Sequence, residues 1–148
     1  MNNNQFRVSH YAAAFSLVEL MIVIVIIGIL SSIAIPKYQE HVRTAHRAEA
    51  QSALLQMAAT LEKYRAGHSN YNMPIGSGDD AWFPNQAPLE SPTKFYTLSL
   101  TIDTTNNDAY SISATPIAST AMNNDYTYAL DQTGLRKRTQ NGVIENTW

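Results

Sequence analysis

The sequence predicts an α+β fold in which one long N-terminal helix packs against an antiparallel sheet of three or four strands. Three observations support this fold class. Residues 15–35 are almost entirely apolar, apolar residues recur at helical spacing between positions 50 and 64, and apolar and polar residues alternate in short segments after position 95. These periods are typical of helices and strands, respectively. With 148 residues, the chain has room for one globular domain.

The first predicted element is a transmembrane helix over residues 15–35, preceded by a polar leader over residues 1–14. Every residue from 20 to 30 is apolar or glycine. About 20 helical residues span the hydrocarbon core of a bilayer. A secretory signal peptide has a shorter apolar stretch followed by a small-residue cleavage site. The small-residue cluster here, residues 12–14, precedes the apolar run, which disfavours an ordinary signal peptide.

Glu19 distinguishes this segment from an ordinary membrane anchor, which is the main alternative. A carboxylate inside a spanning helix costs about 2.5–3.5 kcal/mol on insertion scales, so it is normally paired or functional. No basic residue lies three or four positions away from it. Cleavage between Ala14 and Phe15 would create an α-ammonium four residues before Glu19, available to the same molecule or to a neighbour. Pairing between molecules would fix the stagger of adjacent helices; the competing interpretation is a carboxylate near the interface, solvated by water.

The residues around this site resemble the class III signal of type IV pilins and pseudopilins. Residues 14–23 read Ala-Phe-Ser-Leu-Val-Glu-Leu-Met-Ile-Val, and Gly28 and Pro36 follow. The resemblance implies that the prepilin peptidase and N-methyltransferase cuts between Ala14 and Phe15 on the cytoplasmic face and methylates the nitrogen of Phe15. The usual family residue before the cut is glycine, whereas this chain has alanine.

The same resemblance implies where the chain acts and with which partners. Glu19, Gly28 and Pro36 would serve filament assembly, and the helix would loosen near the last two positions inside the filament. The precursor would cross the inner membrane once with its head in the periplasm. It would then join other pilin subunits in a helical filament at the cell surface, through the inner-membrane pilus assembly machinery.

The predicted helix continues past the membrane segment to residue 65. Pro36 lacks a backbone donor, and glycine at position 28 weakens a helix by about 1 kcal/mol relative to alanine. A helix over residues 15–65 would be roughly 75 Å long. A small head can cover only its second half, so the first half must be covered by lipid or by other subunits. An amphipathic stripe is expected to pack against the head: Ala50, Leu54, Met57, Ala58, Leu61 and Tyr64.

Residues 66–148 are predicted to form a β-rich head. Residues 67–93 are dense in Gly, Pro, Asn, Asp and Ser, which is typical of a connecting loop. Period-two alternation predicts an antiparallel meander of three strands, with a fourth returning after a Gly-containing turn. The predicted strands cover residues 95–102, 110–114, 126–130 and 135–139.

The head segments resemble the minor pilins of the PilE type. The residues that carry this looser resemblance include Phe95-Tyr96-Thr97-Leu98, residues 110–116 and residues 130–134. Relatives usually hold the C-terminal loop with a disulfide. This chain has no cysteine, so the resemblance leaves open how its last loop is held.

Composition and motifs point away from an enzyme. The absence of cysteine excludes thiol catalysis and zinc–cysteine sites. No nucleophile elbow, zinc-protease or Walker motif occurs. His41 and His46 are five residues apart and do not share a helix face. Asp103, Asp108 and Asp125 match no calcium-loop spacing, so we expect neither a metal nor a cofactor.

Arg136, Lys137 and Arg138 form the only basic run. The formal net charge of −2 argues against a general nucleic-acid binder. On a strand, Arg136 and Arg138 would point the same way. A solvated strand edge is the plainer interpretation, and contact with DNA or with an acidic neighbour is the alternative.

These expectations favour a structural subunit of a type IV pilus, of the minor-pilin kind. Such a subunit supports pilus assembly and, through it, adhesion, twitching motility or DNA uptake. Two alternatives remain, a pseudopilin of a type II secretion system and a DNA-binding receptor displayed on the pilus. A membrane-tethered enzyme would need a catalytic pocket that the sequence does not offer.

Overall fold

The computed structural model of the protein describes residues 15–103 and 109–148. The predicted leader therefore lies outside the described residues. By its internal contacts the chain divides at Gln39 into two units, which we call the apolar unit (residues 15–39) and the head unit (Glu40–Trp148). The elements are α1 (Leu17–His68), β1 (Gln86–Ala87), β2 (Tyr96–Ile102), β3 (Tyr110–Pro116), β4 (Thr127–Asp131), β5 (Arg136–Gln140) and β6 (Val143–Glu145).

The apolar unit is helical from Leu17 onwards and exposes its large hydrophobic side chains. Phe15 is 76% exposed and Leu30 is 62% exposed. By length and composition α1 is able to cross a membrane, and none of its most apolar window is buried within the chain. The helix is continuous through Gly28 and Pro36. Loosening of the helix at these two positions within a filament stays a prediction.

In the head unit, α1 buries the predicted apolar stripe. Ala50, Leu54, Met57 and Leu61 have no exposed surface, and Ala58 packs partly buried against the same core. This confirms the helical spacing read from the sequence. The helix ends at His68, because Ser69 adopts a φ of 58° and donates its backbone N–H to the Arg65 carbonyl at 2.8 Å. The helix thus ends three residues later than predicted, and the left-handed residue at this end is a serine.

The sheet contains six antiparallel strands in the order β1-β2-β3-β4-β5-β6. The four predicted strands are β2 to β5, so the α+β fold class with an antiparallel sheet is confirmed. The longest pairing runs from Tyr96↔Pro116 to Ile102↔Tyr110. The buried strand residues share the face that forms the core with the helical stripe: Tyr96, Leu98, Tyr110, Ile112, Ala114, Tyr128 and Leu130.

The expected strand number of three or four was too low, because two short edge strands were missed. β1 has only two residues, too few to alternate, and exists through its pairing with Thr97 and Tyr96. β6 follows a two-residue turn in which Asn141 and Gly142 have φ values of 51° and 81°. Asn-Gly is the strongest short hairpin signal and requires positive φ at both positions. The sequence therefore contained the signal for β6.

Candidate functional site

Glu19 lies in the first turn of α1 and is exposed. Within the described part of the chain, no ion pair or hydrogen bond engages its carboxylate. Ser16 caps the N-terminus of α1, because its hydroxyl accepts a hydrogen bond from the Val18 N–H at 3.3 Å. The geometry is that of an acidic group at a helix N-terminus, where the helix dipole favours negative charge. Because the described residues offer Glu19 no cationic partner, the amine of Phe15 after cleavage, in the same or a neighbouring molecule, stays the predicted one.

Gly28 is not required by packing within a single chain. A Cβ added at this position would meet nothing within 4 Å. The predicted assembly roles of Gly28 and Pro36 are not tested by the single chain and stay predictions. Cleavage after Ala14 concerns a residue outside the described ranges, and it stays a prediction.

The basic run lies on β5, and its register divides the three side chains between two faces. Arg136 is opposite Leu130, Lys137 is opposite Ala129, and Arg138 is opposite Tyr128. Since cross-strand partners share a face, Arg136 and Arg138 project on the side of the buried residues of β4. Lys137 projects on the other face. The register agrees with the alternation expected from the sequence.

Both arginines of β5 contact residues of the C-terminal segment or its neighbours. Arg138 forms an ion pair with Glu145 of β6, and its guanidinium lies 4.8 Å from the ring centre of Tyr126. The guanidinium of Arg136 lies 4.9 Å from the ring centre of Trp148. These cation–π contacts and the ion pair were not anticipated from the sequence.

Trp148 holds the C-terminus on the sheet without a disulfide. Its indole N–H donates to the Ala129 carbonyl at 3.1 Å, and its ring meets that of Tyr128 edge-on at 5.9 Å. Together with the cation–π contact from Arg136, these interactions answer how a cysteine-free chain secures its last residues. The signal available in the sequence was the large aromatic residue at the C-terminus.

A buried ion pair ties α1 to the segment before β4. Asp125 has a fully buried side chain, and Arg47 donates from Nε to both of its carboxylate oxygens at 3.1 and 2.9 Å. The same carboxylate accepts the Tyr126 N–H, and Arg47 Nη1 also reaches Glu40 at 2.6 Å. Burial alone would lower the pKa of Arg47, but the hydrogen bonds and charges of Asp125 and Glu40 raise it above its ordinary value. Arg47 is thus a structural cation of the head unit.

Among the described residues, the histidine and aspartate candidates are not gathered into a metal site. His46 stacks on Phe95 at 3.8 Å, and its Nδ1 lies 2.8 Å from Glu49 Oε2, while His41 is exposed. Asp125 is engaged by the ion pair, and Asp108 lies outside the described residues. Among residues 15–103 and 109–148, no group of three metal-ligating side chains comes together.

The head unit contains an open groove of about 380 Å³ between α1 and the segment after β1. Its acidic lining residues are Glu49 and Glu90, beside Ser52 and Gln56. Ser52 Oγ accepts a hydrogen bond from the Gln56 amide at 3.2 Å, which is a helical surface contact. No base is positioned against a nucleophile in this groove, which offers a contact surface rather than a catalytic pocket.

Comparison with known proteins relates both parts of the chain to pilins. The family described as "Type IV minor pilin ComP, DNA uptake sequence receptor" matches residues 36–134, which is more than half of the chain. The prokaryotic N-terminal methylation motif matches residues 9–35. The second match covers Ala14, Phe15 and Glu19.

Curated relatives match over short stretches of the chain. The type IV major fimbrial protein FimA of Dichelobacter nodosus is 46% identical over 48 residues, 32% of this chain and 31% of FimA. The fimbrial protein EcpC of Eikenella corrodens is 58% identical over 36 residues, 24% of each chain. The type II secretion system core protein G of Pectobacterium carotovorum is 33% identical over 57 residues, 38% of this chain and 36% of protein G. The chain thus aligns with little more than a third of these relatives at most. No solved structure matches it.

Proposed function

The chain belongs to the family of the type IV minor pilin ComP, and we propose that it is a minor pilin whose head binds DNA at the surface of the pilus. It is a type IV pilin subunit that is anchored in the membrane by its apolar helix and then carried in the pilus. The observation that carries the DNA-binding proposal is the family match over residues 36–134. This range includes the stripe of α1 and strands β1 to β4.

Maturation is proposed to occur between Ala14 and Phe15, with methylation of the new amine on Phe15. The methylation-motif match over residues 9–35 supports this step. The exposed Glu19 carboxylate, without a partner among the described residues, supports a pairing with that amine in a neighbouring subunit. Before assembly the head would face the periplasm. The proposed partners are other pilins, the prepilin peptidase and the inner-membrane assembly machinery.

The basic strand β5 is the proposed phosphate contact. It concentrates three cations in a chain of net charge −2. The family match ends at residue 134, so this assignment is supported by charge and geometry rather than by the match. Lys137 projects on the face of the sheet opposite Arg136 and Arg138. It is therefore the one cation that β5 presents on that face.

A salt series of DNA-binding measurements tests the proposal. Lys137→Gln should weaken duplex DNA binding uniformly across sequences and reduce the slope of log K against log salt by about 1. The matched control is Lys63→Gln, which removes an exposed lysine from α1. Equal effects of the two variants would exclude the basic strand as the contact. Absence of DNA binding by the unmodified protein would overturn the receptor function itself.

A pseudopilin role remains the second candidate because protein G of type II secretion systems is among the relatives. That alignment covers 57 residues, whereas the ComP family match covers most of the head unit. Co-purification of the full chain with pilus proteins supports the pilus. Recovery of secretion-system proteins alone would reject it in favour of the secretion system.

A further inference from the structure

The C-terminal hairpin places an internal anion against the proposed DNA-contacting strand. Glu145 on β6 is the cross-strand partner of Arg138 on β5. Both Nε and Nη2 of Arg138 contact the same oxygen, Oε2 of Glu145. The Asn141-Gly142 turn fixes the register of the hairpin. The hairpin register therefore places Glu145 next to Arg138.

A carboxylate and a phosphate accept hydrogen bonds from the same N–H donors of a guanidinium. The planar fork of arginine matches the oxygens of either group. While Glu145 occupies Nε and Nη2, a DNA phosphate can take these donors only by displacing the carboxylate. The guanidinium carbon of Arg138 also lies over the Tyr126 ring, 4.8 Å from its centre, and this contact does not use the N–H donors.

We propose that Glu145 is an internal competitor for DNA phosphate at Arg138, so that binding proceeds by exchange of the carboxylate for a backbone phosphate. This inference rests on the proposed DNA-binding function. In the free protein the pair neutralises Arg138 and limits non-specific attraction of the strand for polyanions. A duplex that makes enough other contacts replaces Glu145 and gains the arginine as an additional contact.

The exposure of the pair makes such an exchange accessible. The side chains of Arg138 and Glu145 are 34% and 44% exposed. Ion pairs exposed to this extent contribute little to stability, and their loss changes equilibria by about twofold to fivefold. The competitor therefore tunes the affinity for DNA and does not block binding.

The test compares Glu145→Gln with Glu90→Gln in the full mature chain, using one duplex DNA at several salt concentrations. Both variants remove one negative charge, but Glu90 follows β1 at the opposite edge of the sheet. Glu145→Gln should bind about twofold to fivefold more tightly with a similar salt slope, because Arg138 contacts a phosphate in both proteins but no carboxylate has to be displaced in the variant. Glu90→Gln should change the affinity little. In an Arg138→Gln background, Glu145→Gln should give no gain.

The outcomes separate this inference from the function on which it rests. Equal gains from Glu145→Gln and Glu90→Gln, or a gain that persists without Arg138, would overturn the competitor while leaving DNA binding in place. No binding by the unmodified chain and by Glu145→Gln would overturn both. Binding by Glu145→Gln where the unmodified chain binds weakly supports both.

Discussion

The apolar unit and the head unit use the same residue types on one helix in opposite ways. Leu30 is 62% exposed, whereas Leu54 and Leu61 have no exposed surface. The head unit covers its part of α1 with its own sheet, whereas the large apolar side chains of residues 15–39 are exposed in the described part of the chain. Exposed apolar surface on this scale marks a membrane or protein interface.

The difference indicates where each function is encoded. The head unit is stabilised by contacts within one molecule, so its substitutions should act on folding and on surface binding. The apolar unit is exposed in the described single chain, so we expect lipid and then other subunits to cover it. Its substitutions should act on assembly and leave the folding of the head unchanged. The predictions below test this separation, from the largest expected effect to the smallest.

Glu19→Ala should have the largest effect on assembly. Removing the carboxylate eases membrane insertion, since a charge in hydrocarbon is costly, but removes the proposed partner of a neighbouring amine. We expect normal membrane levels and at least about a tenfold loss from sheared pili, measured by immunoblotting both fractions. Glu49→Ala, which removes an exposed carboxylate from the same helix within the head unit, is the control. Normal incorporation of Glu19→Ala would remove the pairing argument.

Arg47→Ala should destabilise the head unit by about 3–5 kcal/mol, because it leaves the fully buried Asp125 carboxylate without its cation. Denaturant unfolding of the detergent-solubilised chain, followed by the fluorescence of Trp82 and Trp148, measures this loss. Arg43→Ala, one turn earlier on α1, is the control. The double variant Arg47→Ala/Asp125→Ala should recover part of the stability. A loss no larger than that of Arg43→Ala would show that the buried pair is not needed.

The same leucine-to-alanine substitution, made at Leu54 in the head unit and at Leu30 in the apolar unit, compares the two units. Leu54→Ala opens a cavity in the core and should lower the free energy of unfolding by about 2–5 kcal/mol. Leu30→Ala removes an exposed side chain and should change it by less than about 0.5 kcal/mol. The same unfolding assay measures both. Similar losses at the two positions would contradict the separation of the units.

Asp131→Ala should give the smallest loss expected within the head unit, about 1 kcal/mol. Asp131 Oδ1 accepts hydrogen bonds from the Thr133 N–H and hydroxyl and from the Leu135 N–H. The hydrogen bonds from Thr133 hold the pKa of Asp131 below its ordinary value. Its contribution is therefore present above pH of about 4 and is lost as pH falls through the lowered pKa. Asp79→Ala, in an exposed loop, is the matched control; an identical acid profile for both variants would refute the assignment.

Much of the fold was predictable because its signals are local. The helical stripe from Ala50 to Tyr64 and the alternation in β2 to β4 depend on the spacing of neighbours along the chain. β6 had a local signal as well, the Asn141-Gly142 turn. β1 had none, since two residues acquire strand character only from the register of β2.

The residues of the candidate sites also differ in whether a local sequence signal identifies them. The sequence alone identified Glu19, because a single carboxylate within an apolar run is unusual. The pair between Arg47 and Asp125 joins residues 78 positions apart and becomes visible only when the helix packs on the sheet. The same holds for Trp148 and Ala129, which are 19 positions apart. Long-range polar contacts leave no periodic trace in a sequence.

The most direct test of the account places a photo-crosslinking residue at Ile24, which is 58% exposed in the single chain. In sheared pili, illumination should join this position to other pilin subunits, because only neighbouring helices can cover it there. The same residue at Leu54, buried by its own sheet, should give no crosslinks between subunits. Filaments that contain the chain without any crosslink from position 24 to another subunit would contradict the claim that assembly completes the apolar unit.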